Sequence, residues 1–218
     1  LLLGNGVAPP AIKAADIRQR YMDRQIVWAD SLRCGSSTYN DETDGVHIRK
    51  VLDVINANAI RAKHYKVVLD SVNGAGGRIG VRLLEELGCQ VVPMNTEPTG
   101  LFAHVPEPIK ENLGDLCDRV KQEGADIGFA QDPDADRVAV VDEKGGYIGE
   151  EYSLAFAAMQ ILSHQSGKAA ANLSTSRMID DVARRFNSEV LRTPVGEANV
   201  AQAMMENGCI IGGEGNGG

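Results

Sequence analysis

The sequence predicts an α/β protein with two similar domains, each built on a mixed, mostly parallel sheet. Two observations support this fold class. Short apolar runs alternate with amphipathic segments of roughly 10 to 15 residues, the pattern of parallel strands joined by helices. The alternation runs from about residue 47 to residue 141 and restarts near residue 150, so one layout occurs twice in succession.

In the first run, apolar residues at helical spacing predict helices, and short apolar runs predict buried strands. Gly88 and Gly124 follow two of the helical segments and favour helix termination there. The predicted helices span residues 47–63, 78–87 and 109–123. The predicted strands span residues 66–72, 89–94, 125–130 and 138–141, the last as a hairpin or edge strand.

The second run repeats this order of elements. Ser174 or Ser176 is a candidate N-cap for its middle helix, because a serine hydroxyl can accept a backbone N–H. The predicted helices span residues 150–164, 174–186 and 200–206, and the predicted strands span residues 168–173, 189–192 and 209–211. The first 40 residues lack a regular pattern, and residues 29–44 are predicted to form a polar loop crossing between domains.

Composition narrows the classes of function. A net charge of −8 argues against a nucleic-acid or anionic-membrane partner, since both need clustered lysine and arginine. No apolar run is long enough to span a membrane, and the four cysteines form no C-x-x-C pair. We therefore expect buried free thiols and a cytoplasmic location. The chain begins without methionine and stops inside a glycine-rich run, so we interpret it as an interior piece of a longer polypeptide.

The most informative segment is the acidic loop, residues 132–137, with the sequence D-P-D-A-D-R. In an extended loop, Asp132, Asp134 and Asp136 would point the same way and converge. Their hard oxygen ligands suit Mg²⁺, Mn²⁺ or Ca²⁺ rather than Zn²⁺. A solvated acidic turn is the alternative, which the flanking strands and Arg137 disfavour. An EF-hand is excluded, because Arg137 stands where the calcium loop needs glycine and no helices flank it.

Three further loops carry polar or glycine-rich patterns. Residues 70–77 (D-S-V-N-G-A-G-G) join a predicted strand to a predicted helix. They could bind a phosphate through backbone N–H groups, or they could simply form a tight turn. Ile79 stands where the dinucleotide fingerprint needs its third glycine. In the terminal glycine run, Glu214 and Asn216 suit the hydroxyls of a sugar, although such a run is often only flexible. Glu197 is another candidate substrate-binding carboxylate. Alternatively, it is a favourable negative charge in the first turn of a helix.

Four motifs in one order, D-S-V-N-G-A-G-G, D-P-D-A-D-R, P-V-G-E and G-G-E-G-N-G-G, resemble the α-D-phosphohexomutase superfamily. This superfamily includes phosphoglucomutase, phosphomannomutase and phosphoglucosamine mutase. The resemblance covers nearly the whole chain, which itself covers about half of such a four-domain enzyme. It implies three segments: residues 1–43 as the remnant of a preceding α/β domain 1 without its phosphoserine loop, residues 44–146 as the metal-binding domain 2, and residues 147–218 as domain 3, truncated at its sugar-binding loop.

The resemblance also implies roles for individual residues. Asp132, Asp134 and Asp136 would bind Mg²⁺ together with a phosphoserine phosphate that lies outside this chain. Arg137 would be the catalytic arginine beside that phosphate. The residues implied in substrate binding are Glu214, Asn216, Gly213, Gly215 and Glu197. The bacterial loop pattern G-E-x-S-G is replaced here by G-E-G-N-G, which leaves the preferred hexose open.

The activity implied by the resemblance is phosphoryl transfer within hexose phosphates, from the 1- to the 6-position. It would proceed through a phosphoserine and a hexose 1,6-bisphosphate intermediate. Two alternatives remain open: a metal-dependent sugar-phosphate phosphatase, and an inactive fragment that only binds Mg²⁺. We expect the 218 residues alone to be inactive, because the phosphoserine loop and domain 4 are missing.

Overall fold

Two β-sheets with helices packed on them confirm the predicted α/β class. The computed structural model describes residues 3–4, 6 and 8–218. Residues 1, 2, 5 and 7, which belong to the predicted domain 1 remnant, lie outside the described residues. The chain divides into two compact units, one up to Thr43 and one from Asp44 to Gly218.

Over its described residues, the first unit contains one complete helix, α1 (Ala11–Met22), which the sequence patterns did not predict. None of its residues is buried, so it has no apolar face for a periodicity argument to detect. Most of its residues, among them three alanines and two arginines, have high intrinsic helix propensity, which favours the helix instead.

The first sheet has the strand order β2-β1-β3-β4, with β1, β2 and β3 parallel and β4 antiparallel to β3. The edge position of β4 confirms the prediction for that strand. Its strands are β1 (Lys66–Asp70), β2 (Gln90–Met94), β3 (Ile127–Gln131) and β4 (Val138–Val141). The helices of this part are α2 (Thr43–Val54), α3 (Ala57–Arg61), α4 (Gly77–Glu86) and α5 (Gly114–Glu123).

Opposite faces of this sheet are covered by different helices. Leu116 and Val120 of α5 belong to one fully buried cluster with Val68 of β1. Leu69 points to the other face, since side chains alternate along a strand, and there it lies against α4 close to Gly80. Burial on both faces explains why these strands are continuous apolar runs.

The second sheet is entirely parallel, in the order β6-β5-β7. Ala169 and Ala171 face the apolar cluster of α6 and α7, while Ala170 and Gly212 face α8 near Met204. Its strands are β5 (Ala169–Asn172), β6 (Val190–Thr193) and β7 (Ile211–Gly213). Its helices are α6 (Glu151–His164), α7 (Met178–Arg185) and α8 (Glu197–Asn207).

Several predicted helix boundaries are wrong, including that of the helix predicted over residues 200–206, which spans Glu197–Asn207. Three of the differences have a local reason. The helix predicted over residues 47–63 is two helices, because the Asn56 side chain caps α3 by accepting the Ala59 N–H. The helix predicted over residues 109–123 begins at Gly114, after a short 3-10 turn. The helix predicted from Ser174 begins at Met178, because the serines of the preceding turn form other hydrogen bonds. Ser174 Oγ donates to Asn172, and the Ser176 N–H donates to Glu151.

The structure bears on two expectations drawn from composition, the burial of the thiols and the lack of a membrane-spanning segment. Cys89, Cys117 and Cys209 are only partly buried and Cys34 is exposed, so the thiols are less enclosed than expected. In the described part of the chain, no helix combines the length and the apolar character that crossing a bilayer requires.

The turn between β1 and α4 packs against the acidic loop. Ala75 N–H donates to the carbonyl of Pro133 at 2.8 Å. A Cβ on Gly74 would lie 2.5 Å from that same carbonyl oxygen, and one on Gly76 would lie 2.4 Å from Cβ of Ala135. The glycines therefore allow the two loops to approach closely, which supports the tight-turn interpretation over a phosphate site.

Gly77, the last glycine of this turn, packs against the backbone of Thr96 after β2, and this second contact predicts a position-specific effect on stability. Gly77→Ala would place a methyl group 2.0 Å from the backbone oxygen of Thr96, which cannot rotate away. We expect a loss of about 1–3 kcal/mol in unfolding free energy, the range for overpacking. Gly114→Ala is the matched control, since it also begins a helix but has no atom within 4 Å. Urea denaturation of both variants measures the effect, and equal midpoints would contradict the packing argument.

Candidate active site

The acidic loop is a tight turn that brings its three carboxylates together. Ala135 N–H donates to the carbonyl of Asp132 at 3.2 Å, and Ala135 has a left-handed φ of 60°. The expectation of an extended loop is therefore wrong. The convergence is nevertheless present, because one oxygen from each of Asp132, Asp134 and Asp136 lies within 4.8 Å of the others.

Asp132 is the buried member of the acidic cluster, with 2% of its surface exposed. Its carboxylate accepts the backbone N–H of Arg137 at 3.1 Å and the Nε–H of the same residue at 2.9 Å. A charge this buried is stable only when paired and hydrogen-bonded. Burial, together with the charges of Asp132 and Asp134, raises the pKa of the Asp136 carboxyl.

The guanidinium of Arg137 bridges two carboxylates, one of which the sequence patterns did not single out. Besides Asp132, Arg137 contacts Glu107, to which its Nη1 donates. The hydrogen bond that Arg137 donates to Glu107 is the main cause that raises the pKa of the Arg137 guanidinium. Glu107 stands between Pro106 and Pro108, and that restriction of the backbone was the available sequence signal.

The loop that carries Glu107 is tied to the first sheet through a buried aspartate. Asp70, at the end of β1, is 2% exposed. It accepts hydrogen bonds from Val72 N and Asn95 Nδ2, and His104 Nε2 lies 3.0 Å from its other oxygen. This anchor fixes the loop three residues before Glu107.

The glycine-rich segment of residues 212–218, the glycine loop, closes against β4 beside the acidic loop. Val138 N–H donates to the carbonyl of Gly217 at 3.0 Å, and Glu214 N–H donates to Gly218 at 2.8 Å. Gly217 has a φ of 99°, a conformation that favours glycine, and a Cβ there would meet Val138. These contacts use the free edge of β4 to hold the two loops side by side.

A cavity of about 360 Å³ lies where the two loops meet, a size suited to a small ligand. Gly213 lines it, whereas Gly215 packs against the carboxylate of Glu151 instead. Asp132 and Asp134 do not line it. Glu197 does, and it is also the first residue of α8, so both sequence interpretations of this carboxylate fit. The charged and amide side chains in the wall are Asp136, Arg137, Glu197, Glu214 and Asn216.

Glu214 is held by donors from two other segments. Its Oε1 accepts from Asn172 Nδ2 at 2.6 Å and from Gly196 N–H at 2.8 Å. Asn172 ends β5, and the sequence patterns did not identify it. An asparagine directly after an alanine-only run, at the carboxyl end of a predicted strand, was the signal available.

Family models match most of the chain. The phosphoglucomutase/phosphomannomutase alpha/beta/alpha domain II matches residues 46–146, and domain III of the same family matches residues 149–218. A probable phosphoglucosamine mutase of Methanopyrus kandleri is 40% identical over 181 residues, covering 82% of this chain and 39% of the relative. A phosphoglucomutase/phosphomannomutase of Thermococcus kodakarensis is 42% identical over 174 residues, covering 79% of this chain and 38% of the relative.

Solved structures agree with the fold. A phosphoglucomutase/phosphomannomutase family protein of Burkholderia thailandensis superposes with a TM-score of 0.78 at 27% identity, covering 97% of this chain and 45% of that one. A putative phosphomannomutase of Thermus thermophilus gives 0.76 at 28% identity, covering 84% of this chain and 43% of that one.

The chain spans about 40% of the length of these curated relatives, with 39% and 38% for the two named. Within that span, both family domains follow one another in the expected order. The chain therefore belongs to the phosphoglucomutase/phosphomannomutase family of the α-D-phosphohexomutase superfamily.

Proposed function

We propose that the complete protein moves a phosphoryl group between the 1- and 6-hydroxyls of a hexose, through a phosphoserine and a hexose 1,6-bisphosphate. The observation that supports this most is the meeting of the acidic loop and the glycine loop at one cavity. Phosphoryl transfer depends on positioning and on neutralisation of charge. Asp136 and Arg137 from one loop and Glu214 from the other lie around the same space.

The acidic loop fits a Mg²⁺ ion. Asp132, Asp134 and Asp136 present only hard oxygen donors, within 4.8 Å of one another, and two of them are exposed to an arriving ion. Such an ion would neutralise charge on the phosphoryl oxygens. Burial of Asp132 beside Arg137 orients the cluster before any ion binds.

Arg137 is placed to hold a phosphate. Its Nε and Nη1 are engaged by Asp132 and Glu107, which fixes the plane of the guanidinium. Among residues 3–4, 6 and 8–218, no acceptor reaches its Nη2, which leaves that nitrogen for a phosphate oxygen. We propose this as its catalytic role.

The glycine loop supplies contacts to sugar hydroxyls. Glu214 can accept, and the exposed amide of Asn216 can both donate and accept. Such contacts can form with a hexose in either of the two orientations that the bisphosphate must adopt. We therefore propose hexose phosphates in the cytoplasm as the substrates, without a nucleic-acid or membrane partner.

A sugar-phosphate phosphatase would share both the acidic loop and a sugar site with a mutase. Membership of the phosphoglucomutase/phosphomannomutase family, rather than the cavity, supports the mutase. The two activities differ in their products, since only the phosphatase releases inorganic phosphate.

The metal proposal predicts the effect of one substitution in the complete protein. Asp134→Asn replaces an exposed anionic ligand with a neutral one. It should raise the Mg²⁺ concentration for half-maximal turnover by about tenfold or more. Coupled assays with glucose, mannose and glucosamine phosphates and a bisphosphate primer measure turnover at each Mg²⁺ concentration. The release of inorganic phosphate is measured in parallel. Asp118→Asn is the control on an exposed face of α5, and equal behaviour of the two variants would refute the site.

Titration of Asp136 gives a test that needs no turnover. Its pKa is raised above the ordinary 3.8, so ionisation costs stability: the fold is favoured at low pH, and this contribution is lost as pH rises through the raised pKa. Carboxyl NMR of the 218-residue chain should show this raised pKa, and added MgCl₂ should lower it. NaCl at equal ionic strength controls for screening. A pKa that does not respond specifically to Mg²⁺ would contradict binding there.

The last prediction concerns the 218 residues by themselves. We propose that they bind Mg²⁺ but do not convert hexose 1-phosphate to hexose 6-phosphate, because the phosphoserine loop and the domain 4 phosphate site lie outside them. A coupled assay with Mg²⁺ and a bisphosphate primer should give no turnover above background. Turnover would show that a serine of this chain, such as Ser36 or Ser37, carries the phosphoryl group.

A further inference from the structure

Asn172 lies at the centre of a closed hydrogen-bond network at the carboxyl end of β5. Its side chain is buried, with 1% of the residue exposed. Its Oδ1 accepts from Ser174 Oγ at 3.0 Å, Thr175 N at 2.8 Å and Thr175 Oγ1 at 2.7 Å. Three donors on one oxygen fix the orientation of the amide, so its Nδ2 must face the other way.

On that other side lies Glu214. Asn172 Nδ2 donates to its Oε1 at 2.6 Å, and the backbone N–H of Gly196 donates to the same oxygen at 2.8 Å. No donor from the residues that the structure describes reaches Oε2. One oxygen is therefore fully engaged by the protein, while the other is left for a ligand.

We propose that Asn172 is a positioning residue that orients the Glu214 carboxylate, engaging Oε1 so that Oε2 is presented to a hydroxyl of the bound sugar phosphate. This inference rests on the function proposed for Glu214 and adds the residue that sets its geometry. Asn172 itself does not contact the substrate, because it is buried and does not line the cavity.

The turn that holds Asn172 is itself rigid. Arg192 Nη1 donates to the carbonyls of Asn172 and Thr175 at 2.9 and 2.8 Å, and its Nη2 donates to Ser176 and Asp180. This fixes the backbone on which the amide is mounted.

The same turn holds the glycine loop by a second route. Thr175 Oγ1 donates to Asn172 and accepts the backbone N–H of Gly215 at 2.9 Å. The side chain of Glu214 and the backbone of its neighbour are therefore held by one turn. A displacement of Asn172 would shift the carboxylate relative to the rest of the cavity.

The isosteric substitution Asn172→Asp tests the proposal in the complete protein. The three donors to Oδ1 keep an acceptor, but a carboxylate oxygen would then face Glu214, and the two charges repel. The value of kcat/KM for the hexose phosphate should fall about tenfold or more, the cost of a misplaced contact. The Mg²⁺ concentration for half-maximal activity should not change, because the acidic loop is untouched. Asn58→Asp on α3 adds the same charge at an exposed site and should have no effect.

The pH profile separates positioning from simple loss of structure. The ratio of variant to unsubstituted kcat/KM should recover as pH falls, since a proton between the two carboxyls restores a donor. Other ionisable groups near Glu214 are Glu151 on α6, Glu197 on α8, and Asp136 and Arg137 on the acidic loop. Those near residue 172 are Arg192 on β6 and Asp180 on α7. They are the same in both proteins and cancel in the ratio. A ratio independent of pH would overturn the proposal.

A double-mutant cycle in the 218-residue chain tests the contact without turnover. Urea unfolding should show that Asn172→Asp lowers the midpoint in the presence of Glu214, and that the loss is at most half as large beside Glu214→Gln. An equal loss in both backgrounds would show that Asn172 acts elsewhere and would overturn the pairing. Absence of hexose phosphate turnover in the unsubstituted complete protein would instead overturn the proposed function, and with it the catalytic meaning of the pair.

Discussion

The repulsion among three carboxylates is the constraint on which the rest of the site depends. Asp132, Asp134 and Asp136 lie within 4.8 Å of one another, at the end of a sheet whose interior is apolar. A buried charge such as Asp132 needs a partner, and Arg137 provides it from five residues along the chain. The cluster remains net negative after this pairing, which is the condition that attracts a divalent cation.

Holding such a cluster in place requires the neighbouring loops. On one side, the glycine turn after β1 packs against Pro133 and Ala135, so the acidic loop cannot relax outward. On the other side, the edge of β4 pairs with Gly217 of the second sheet's terminal loop. Ser153 of α6 also donates to the β4 carbonyl of Val138 at 2.6 Å. The strand that leaves the acidic loop therefore also positions the sugar side of the cavity.

Sequence patterns predicted the fold class and the convergence of the carboxylates, but not always for the right reason. The three carboxylates converge because the acidic loop is a tight turn with Ala135 in a left-handed conformation. The sequence prediction relied instead on side chains that alternate along an extended loop. Glu107 and Asn172 were missed because their partners, Arg137 and Glu214, lie 30 and 42 residues away. Periodicity describes what a segment buries, and only the folded chain shows which polar groups meet.

The most direct test of the central claim is the location of a divalent ion in a crystal. Crystals of the 218-residue chain soaked in MnCl₂ should give an anomalous difference peak at the acidic loop. The peak should lie ~2.0–2.6 Å from one oxygen of each of Asp132, Asp134 and Asp136, the range for hard cations with oxygen ligands. A peak only at other surface carboxylates, or none at millimolar Mn²⁺, would contradict the proposed metal site and the account built on it.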